Sequence, residues 1–172
     1  GAEEHVIEEI VAAARDVGVV QLANDNAPGQ IVISGAATAV EKAMQIAKDK
    51  GLRKVIKLPV SAPFHCDLMA PAATAMAEAL AKVQFADAKL PIICNVTAAA
   101  ETAADTLKAN LVTQVTGRVR WRESLITLGA AGATHLIEIG TGKVLSGLAK
   151  RSLSDVVIAN FDAPDDLEGV LA

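Results

Sequence analysis

Apolar residues recur along the chain with two alternating periods. Val6, Ile10, Ala13 and Val17 return at helical spacing. Glu3, Glu4, Glu8 and Glu9 crowd the start of that run, where the helix dipole favours acids. Gly18 closes the helix. Residues 19–23 read as a short strand, residues 24–29 (Asn-Asp-Asn-Ala-Pro-Gly) as a loop by composition, and residues 30–34 as a β-branched strand closed by Gly35. Val40, Ala43, Met44 and Ala47 mark a second helix that stops at Gly51, and residues 54–60 read as a third strand. The order helix, strand, strand, helix, strand is that of a ferredoxin-like β-α-β-β-α-β unit without its leading strand. The chain is therefore expected to begin inside a domain, just after that strand. Exposed sheet edges would follow, and with them poor independent stability.

After Pro63 the pattern changes. Met69, Ala72, Met76, Ala79 and Val83 share one helical face, residues 91–96 read as a strand, and 97–104 as a loop of small residues. Asp105 is expected to cap a short helix through Val112. Trp121, Leu125 and Leu128 mark a further helix ended by Gly129 and Gly132. Residues 134–139 form a strand, Gly140-Thr141-Gly142-Lys143 opens a helix through Arg151, residues 156–161 form a last strand, and Pro164 starts a final helix. This alternation predicts a largely parallel sheet. The fold class is α/β, with an incomplete small subdomain over residues 1–60 and part of a parallel-sheet core over 61–172.

Composition adds exclusions. Alanine supplies 34 residues and buries little, but the 52% apolar content leaves enough Val, Leu and Ile for a real core. Sixteen basic residues against twenty acidic ones give a net charge of −4. The two signs are spread evenly over both halves, so no basic footprint for nucleic acid is present. No apolar run approaches the roughly 20 residues needed to span a bilayer, and Gly1-Ala2-Glu3-Glu4-His5 is not a signal pattern. Cys66 and Cys94 alone make neither a disulfide scaffold nor a zinc site. A cytoplasmic location is expected.

Three stretches could carry chemistry. Gly140-Thr141-Gly142-Lys143 fits neither a P-loop nor G-x-G-x-x-G, because Leu145 holds the third glycine position. It reads as a tight strand-to-helix turn, with anion contact at the helix N-terminus as the alternative. Arg118, Arg120 and Arg122 read as a solvated basic edge, or as a weak patch for an acidic partner or for phosphates. Ser61-Ala62-Pro63-Phe64-His65-Cys66 is the most informative. Proline forces Ala62 to be extended, so His65 sits where extended chain gives way to a helix, the place where α/β sheets put their sites. Cys66 is not the partner of His65, since adjacent side chains point apart on a strand and do not face each other on a helix. His5 and His135 have no such setting and read as structural.

These residues together resemble the C-terminal half of malonyl-CoA:acyl carrier protein transacylases. The matching motifs, in order, are Ala23-Asn24-Asp25-Asn26-Ala27-Pro28-Gly29-Gln30, then Pro59-Val60-Ser61-Ala62-Pro63-Phe64-His65-Cys66 with Leu68-Met69, then Gln114 with Val119-Arg120-Trp121, then Glu138-Ile139-Gly140-Thr141-Gly142-Lys143-Val144-Leu145. They span nearly the whole chain. The resemblance implies an α/β-hydrolase-like core with a ferredoxin-like small subdomain. It implies malonyl transfer from malonyl-CoA through a serine acyl-enzyme to the phosphopantetheine thiol of acyl carrier protein, in fatty-acid biosynthesis, with no cofactor. The chain has no G-x-S-x-G. The nucleophilic serine, the arginine that holds the malonyl carboxylate and an oxyanion-hole glutamine belong, by resemblance, to a missing N-terminal part of the same enzyme. The chain alone would be inactive.

Residue by residue, His65 matches the family's catalytic histidine, and Gln114 matches the residue whose backbone carbonyl orients it. Asn26 is either a contact to substrate or active site, or turn chemistry, since Asn favours turns. The expected partners are acyl carrier protein and CoA, with no nucleic acid and no membrane. Carrier proteins are acidic, so Lys143, Lys150, Arg151 and the Arg118–Arg122 group are the docking candidates, and such a complex would weaken with salt. A polyketide-synthase acyltransferase domain and a non-catalytic fragment that binds carrier protein or CoA are the alternatives. The uninterrupted ending at Ala172 favours a discrete enzyme over a multidomain synthase. Phe64, just before the histidine, is either a wall of the acyl pocket or a core residue. In related domains a phenylalanine there goes with malonyl and a smaller residue with methylmalonyl, because the ring crowds an added methyl. One methyl in a pocket is worth about 1–3 kcal/mol, so Phe64→Ser in a complete enzyme should raise the methylmalonyl/malonyl ratio of kcat/KM about tenfold or more; an unchanged ratio would remove Phe64 from the pocket.

Overall fold

The computed structural model describes residues 2–167. The N-terminal part is built on two helices and one hairpin: α1 (Glu4–Ala14), β1 (Val20–Ala27), β2 (Gln30–Gly35) and α2 (Ala37–Asp49). A 3-10 turn, Arg15–Val17, leads from α1 to Gly18, whose φ of 147° lies where glycine is favoured. β1 and β2 pair antiparallel around Pro28-Gly29. Both helices pack on one face of the hairpin. Ile10, Val11 and Ala14 of α1, Val20 of β1, and Ala39, Ala43 and Ala47 of α2 form the buried core. The three alanines repeat every four residues, so α2 offers a smooth stripe against which α1 can lie close. The branched residues come from α1, where burying Ile10 contributes about 2 kcal/mol. The apolar side of α1 runs through Ile10, Val11 and Ala14, while Ala13 and Val17 are exposed.

Beyond residue 60 the elements are a 3-10 turn (Asp67–Met69), α3 (Ala70–Ala81), β3 (Ile92–Ile93), β4 (Ala100–Glu101), α4 (Ala104–Thr113), α5 (Trp121–Ala130), β5 (His135–Ile139), α6 (Val144–Ser152), β6 (Val157–Phe161) and a 3-10 turn (Pro164–Asp166). β5 and β6 pair in parallel with α6 as the crossover, as the strand–helix alternation predicted, and the α/β class holds. Val144 opens α6 directly after Gly140 and Gly142, both at positive φ. The continuation of the helix expected after Pro164 lies outside the described residues.

Four local expectations are corrected. Residues 24–27 are strand rather than loop: β1 carries irregularities at Leu22/Asn24 and Asp25/Ala27 and gains a second neighbour, since Asp25 N–H donates to the Val119 carbonyl at 2.9 Å and Val119 N–H to the Ala23 carbonyl at 2.8 Å. Long-range pairing thus overrides the turn preference of Asn and Asp. Residues 54–60 form no strand. Pro59 has no N–H to give a ladder, Val60 N–H bonds back to the Leu58 carbonyl, and no strand of the described residues lies beside the segment. The strand expected over 91–96 shrinks to two residues paired with Ala100–Glu101 from the supposed loop, because Cys94 N–H turns back to the Ala99 carbonyl. Asp105 lies in the first turn of α4 without capping it; the Ala104 N–H is instead satisfied by Asp87 Oδ1 at 2.9 Å.

α3 buries none of its residues, and Ile56, Val60, Leu90, Ile139 and Val144 are all exposed. Apolar surface on this scale marks a face that packs against something else. No helix among the described residues is long and apolar enough to cross a membrane. Within the hairpin, Gly35 has no space for a side chain: a Cβ there would stand 2.1 Å from the Val19 carbonyl oxygen and 2.7 Å from Val20 Cα. Both are backbone atoms that cannot swing aside, so Gly35→Ala should destabilise the protein by about 2–3 kcal/mol, read as a lower urea midpoint at unchanged slope.

Candidate active site

His65 occupies a tight bend. Just after Pro63, Phe64 N–H closes a short turn onto the Ala62 carbonyl at 3.0 Å, and His65 adopts φ +60°. A left-handed conformation is costly for a residue with a Cβ and persists only where the surroundings over-determine it. Here they do. The buried Cys66 thiol donates to the Pro63 carbonyl at 3.1 Å, and Asp67 N–H donates to Gln21 Oε1 of β1 at 2.7 Å. The bend therefore sits between its own proline and the hairpin.

The ring has two acceptors. His65 Nδ1 lies 3.0 Å from the Gln114 carbonyl oxygen and 3.1 Å from that of Gly117. Carbonyls only accept, so Nδ1 must carry the proton, and in the neutral ring Nε2 is then the free base. Gln114 stands at the C-terminus of α4, where the last carbonyls of a helix lack partners inside it; the imidazole uses one of them. The Gln114 side chain points elsewhere and accepts from Asn95 Nδ2 at 3.2 Å. Gly117 permits the approach of its peptide. A Cβ at 117 would meet the Thr113 oxygen at 2.9 Å and Val96 Cγ1 at 3.0 Å.

The structure brings His65 and Gln114 together. Phe64, the preceding residue, is 47% exposed and is not packed in the core. Asn26 lies on β1, half-buried, with no side-chain hydrogen bond to His65, Phe64 or Gln114 among the described residues. His5 and His135 are exposed, beside Glu3 and Thr134 respectively.

The basic edge expected at 118–122 is corrected. Arg118 and Arg122 turn inward to Glu4 and to Asp25, whose side chain is 2% exposed, while Arg120 pairs with Glu123 and reaches the Thr97 carbonyl at 3.0 Å. Charge matching decided this: Glu4 and Asp25 lie on α1 and β1, far along the chain, where no local pattern reveals them, and Glu123 stands three residues after Arg120. Arg151 is likewise engaged, with Gln30 and, at 2.8 Å, with the Pro28 carbonyl. Of the docking candidates, Lys143 and Lys150 remain exposed without a side-chain bond among the described residues. The Gly140–Lys143 turn offers no free anion site at Leu145 and Ser146, because Glu138 of β5 accepts from both N–H groups, at 3.1 and 2.8 Å. The Ser146 side chain first, then those backbone bonds and Asn160, hold the Glu138 carboxyl below its ordinary range. Gln21, Asp25 and the Gly117 carbonyl went unnoticed in the sequence. A backbone carbonyl carries no side-chain signal at all.

Comparison with known proteins gives a consistent picture. No protein-family model matches the chain. A malonyl CoA-acyl carrier protein transacylase of Bacillus subtilis is 45% identical over 152 residues, which is 88% of this chain and 48% of that protein. The crystal structure of an acyl-carrier-protein-S-malonyltransferase from Bartonella henselae superposes with a TM-score of 0.95 at 46% identity, covering 99% of this chain and 55% of that one. A structure of a type II polyketide-synthase acyl-carrier protein in complex with its malonyl-transacylase matches with a TM-score of 0.94 at 34% identity, over 99% of this chain and 55% of that chain. By fold and sequence the chain is thus a relative of α/β acyltransferases. More particularly, it is homologous to malonyl-CoA:acyl carrier protein transacylases, corresponding to their C-terminal half, and it spans about half the length of the curated relatives it matches.

The ion pairs beside the site have a pH signature. Glu4 is held below its usual value of 4.5, first by the hydrogen bond from Arg118 and then by the charges of Arg118 and Arg122, against some desolvation. Glu123 is lowered in the same way by Arg120. An unfolded chain takes up those protons first, so this stabilisation is present above the ordinary carboxylate value and is lost as pH falls through the lower folded one. At low ionic strength the urea midpoint should therefore decline between about pH 5 and pH 3, and Glu4→Gln should flatten part of that decline.

Proposed function

We propose that the complete protein is a malonyl-CoA:acyl carrier protein transacylase and that this chain supplies its general base. One observation carries the reading: the His65 ring gives its only neutral-state proton to two backbone carbonyls, so that Nε2 is left to accept one. A serine hydroxyl is a weak nucleophile until a positioned base takes its proton. The serine would come from polypeptide outside this chain. As its oxygen attacks the thioester carbonyl of malonyl-CoA, its proton moves to Nε2. The tetrahedral intermediate collapses, the C–S bond breaks, and the CoA thiolate leaves with the proton from Nε2. In the second half the carrier's phosphopantetheine thiol gives its proton to Nε2, the sulfur attacks the acyl-serine ester, and the serine oxygen departs and is reprotonated. The Gln114 and Gly117 carbonyls face Nδ1–H throughout and stabilise the positive charge that each transfer places on the ring. This is the role a carboxylate plays in many serine enzymes. No cofactor enters the scheme.

Phe64, next to the base and half-exposed, is assigned to the wall of the acyl pocket, and Asn26 to the edge of the cleft. The division into a small subdomain (residues 1–60) and part of the catalytic core (61–172) is part of the same reading. The relative solved with its carrier protein supports an acyl carrier protein as acceptor. Of the docking candidates named from the sequence, Lys143 and Lys150 keep their charge free, among the described residues, to meet its acidic surface.

The test compares two alanines in the complete enzyme. His65→Ala should reduce kcat about a hundred- to ten-thousand-fold, the range of general-base catalysis. Gln114→Ala keeps its carbonyl and loses only the bond from Asn95, worth about 1 kcal/mol, so its loss should stay below about tenfold. Equal losses in malonyl-transfer assays would show that the side chain of Gln114, rather than its backbone, matters, and a fully active His65→Ala would end the proposal.

A further inference from the structure

Two arginines that touch no substrate in this scheme converge on Asp25. Its carboxylate sits in the bulged end of β1 with the residue 1% exposed. Arg122, in the first turn of α5, donates to its Oδ2 from Nε at 2.8 Å and lies 2.7 Å away through Nη2, and Arg118 Nη2 approaches the same oxygen at 3.3 Å. Glu4 on α1 meets both guanidinium groups from the other side. Burying charge is costly unless it is paired, and apolar side chains would bind the elements as firmly. What a charged set adds is register, since each donor and acceptor has one place.

That register bears on the histidine. Arg118 directly follows Gly117, whose carbonyl lies 3.1 Å from His65 Nδ1. Gly117 has no side chain by which to be held, so the direction of its carbonyl depends on its neighbours. On the N-terminal side stands the last turn of α4, with Gly117 N–H on the Thr113 carbonyl at 2.9 Å. On the other side Val119 is bridged to Ala23 and Asp25 of β1. A single bridge residue can still pivot. Asp25 grips the chain both before it, at Arg118, and after it, at Arg122.

We propose that Asp25 is a positioning residue for the histidine base: through Arg118 and Arg122 it holds the Gly117 carbonyl on His65 Nδ1, where together with the Gln114 carbonyl it keeps the proton and leaves Nε2 able to accept. The catalytic half of this proposal rests on the proton-transfer reading of His65 given above; the geometric half does not.

The test uses the complete protein with 15N-labelled histidine, at a pH where the ring is neutral. The parent protein should show His65 as one tautomer, protonated on Nδ1. Asp25→Asn should give a mixture of tautomers and lower kcat for malonyl transfer about tenfold, with KM changed less than about twofold. In a His65→Ala background the same substitution should cost less than about twofold more, because both changes act through one ring. Arg122→Gln leaves Asp25 paired with Arg118 and should shift the tautomer in the same direction by less; it decides the matter if Asp25→Asn does not fold. A folded Asp25→Asn or Arg122→Gln with an unchanged Nδ1–H tautomer overturns the proposal, as does a rate loss that persists undiminished without the imidazole. A tautomer that follows Asp25 in a protein with no transfer activity would sink the functional reading and leave the positioning role standing.

Discussion

One hydrogen on one nitrogen organises the site. The Nδ1–H of His65 is shared between the carbonyls of Gln114 and Gly117, and neither acceptor can return a proton. The tautomer is thus imposed by backbone alone, and it cannot titrate away as a carboxylate partner could. The arrangement requires two peptide segments to meet at hydrogen-bonding distance although some fifty residues of chain separate them. The strained φ of His65, the absent side chain at Gly117 and the exposed end of α4 are the local conditions for that meeting.

The hairpin does more than build the small core. Gln21, on β1, receives the N–H of Asp67 just past the histidine bend. Asp25, on the same strand, takes Arg118 and Arg122, which follow the acceptor Gly117 and flank Val119. One strand therefore touches both sides of the His65–Gly117 contact. Its two irregularities fall where it changes from pairing with β2 alone to pairing with residue 119 as well, which fits the use of bulges to re-aim a strand near a site.

Two features that look electrostatic in sequence turn out to serve the interior. The arginines at 118, 120 and 122 neutralise acids from α1, β1 and α5, and leave little positive surface for an acidic partner. The glycine-rich turn before α6 presents backbone N–H groups as an anion site would, yet the protein's own Glu138 takes them. For Arg118 and Arg122 the acids come from distant elements that the local stretch does not announce, whereas Glu123 and Glu138 stand within a few residues of the groups they meet.

Helices α1, α2, α5 and α6 and the parallel pair β5–β6 were legible from periodicity and glycine stops, because a helix satisfies its own hydrogen bonds and shows its buried face every three or four residues. The bend at His65 was legible from Pro63 and the switch of period that follows it. What could not be read were the pairings. Residues 54–60 have the composition of a strand and no ladder; residues 24–27 have the composition of a turn and two neighbours; the Gly117 carbonyl is chemically the same as any other. The amino-acid order by itself determined where the chain bends, where it coils and which imidazole stands at the bend. Only the tertiary structure decided which carbonyls, carboxylates and strands those groups meet, since a hydrogen bond between distant residues depends on the path of the whole chain and leaves no mark on either end of it.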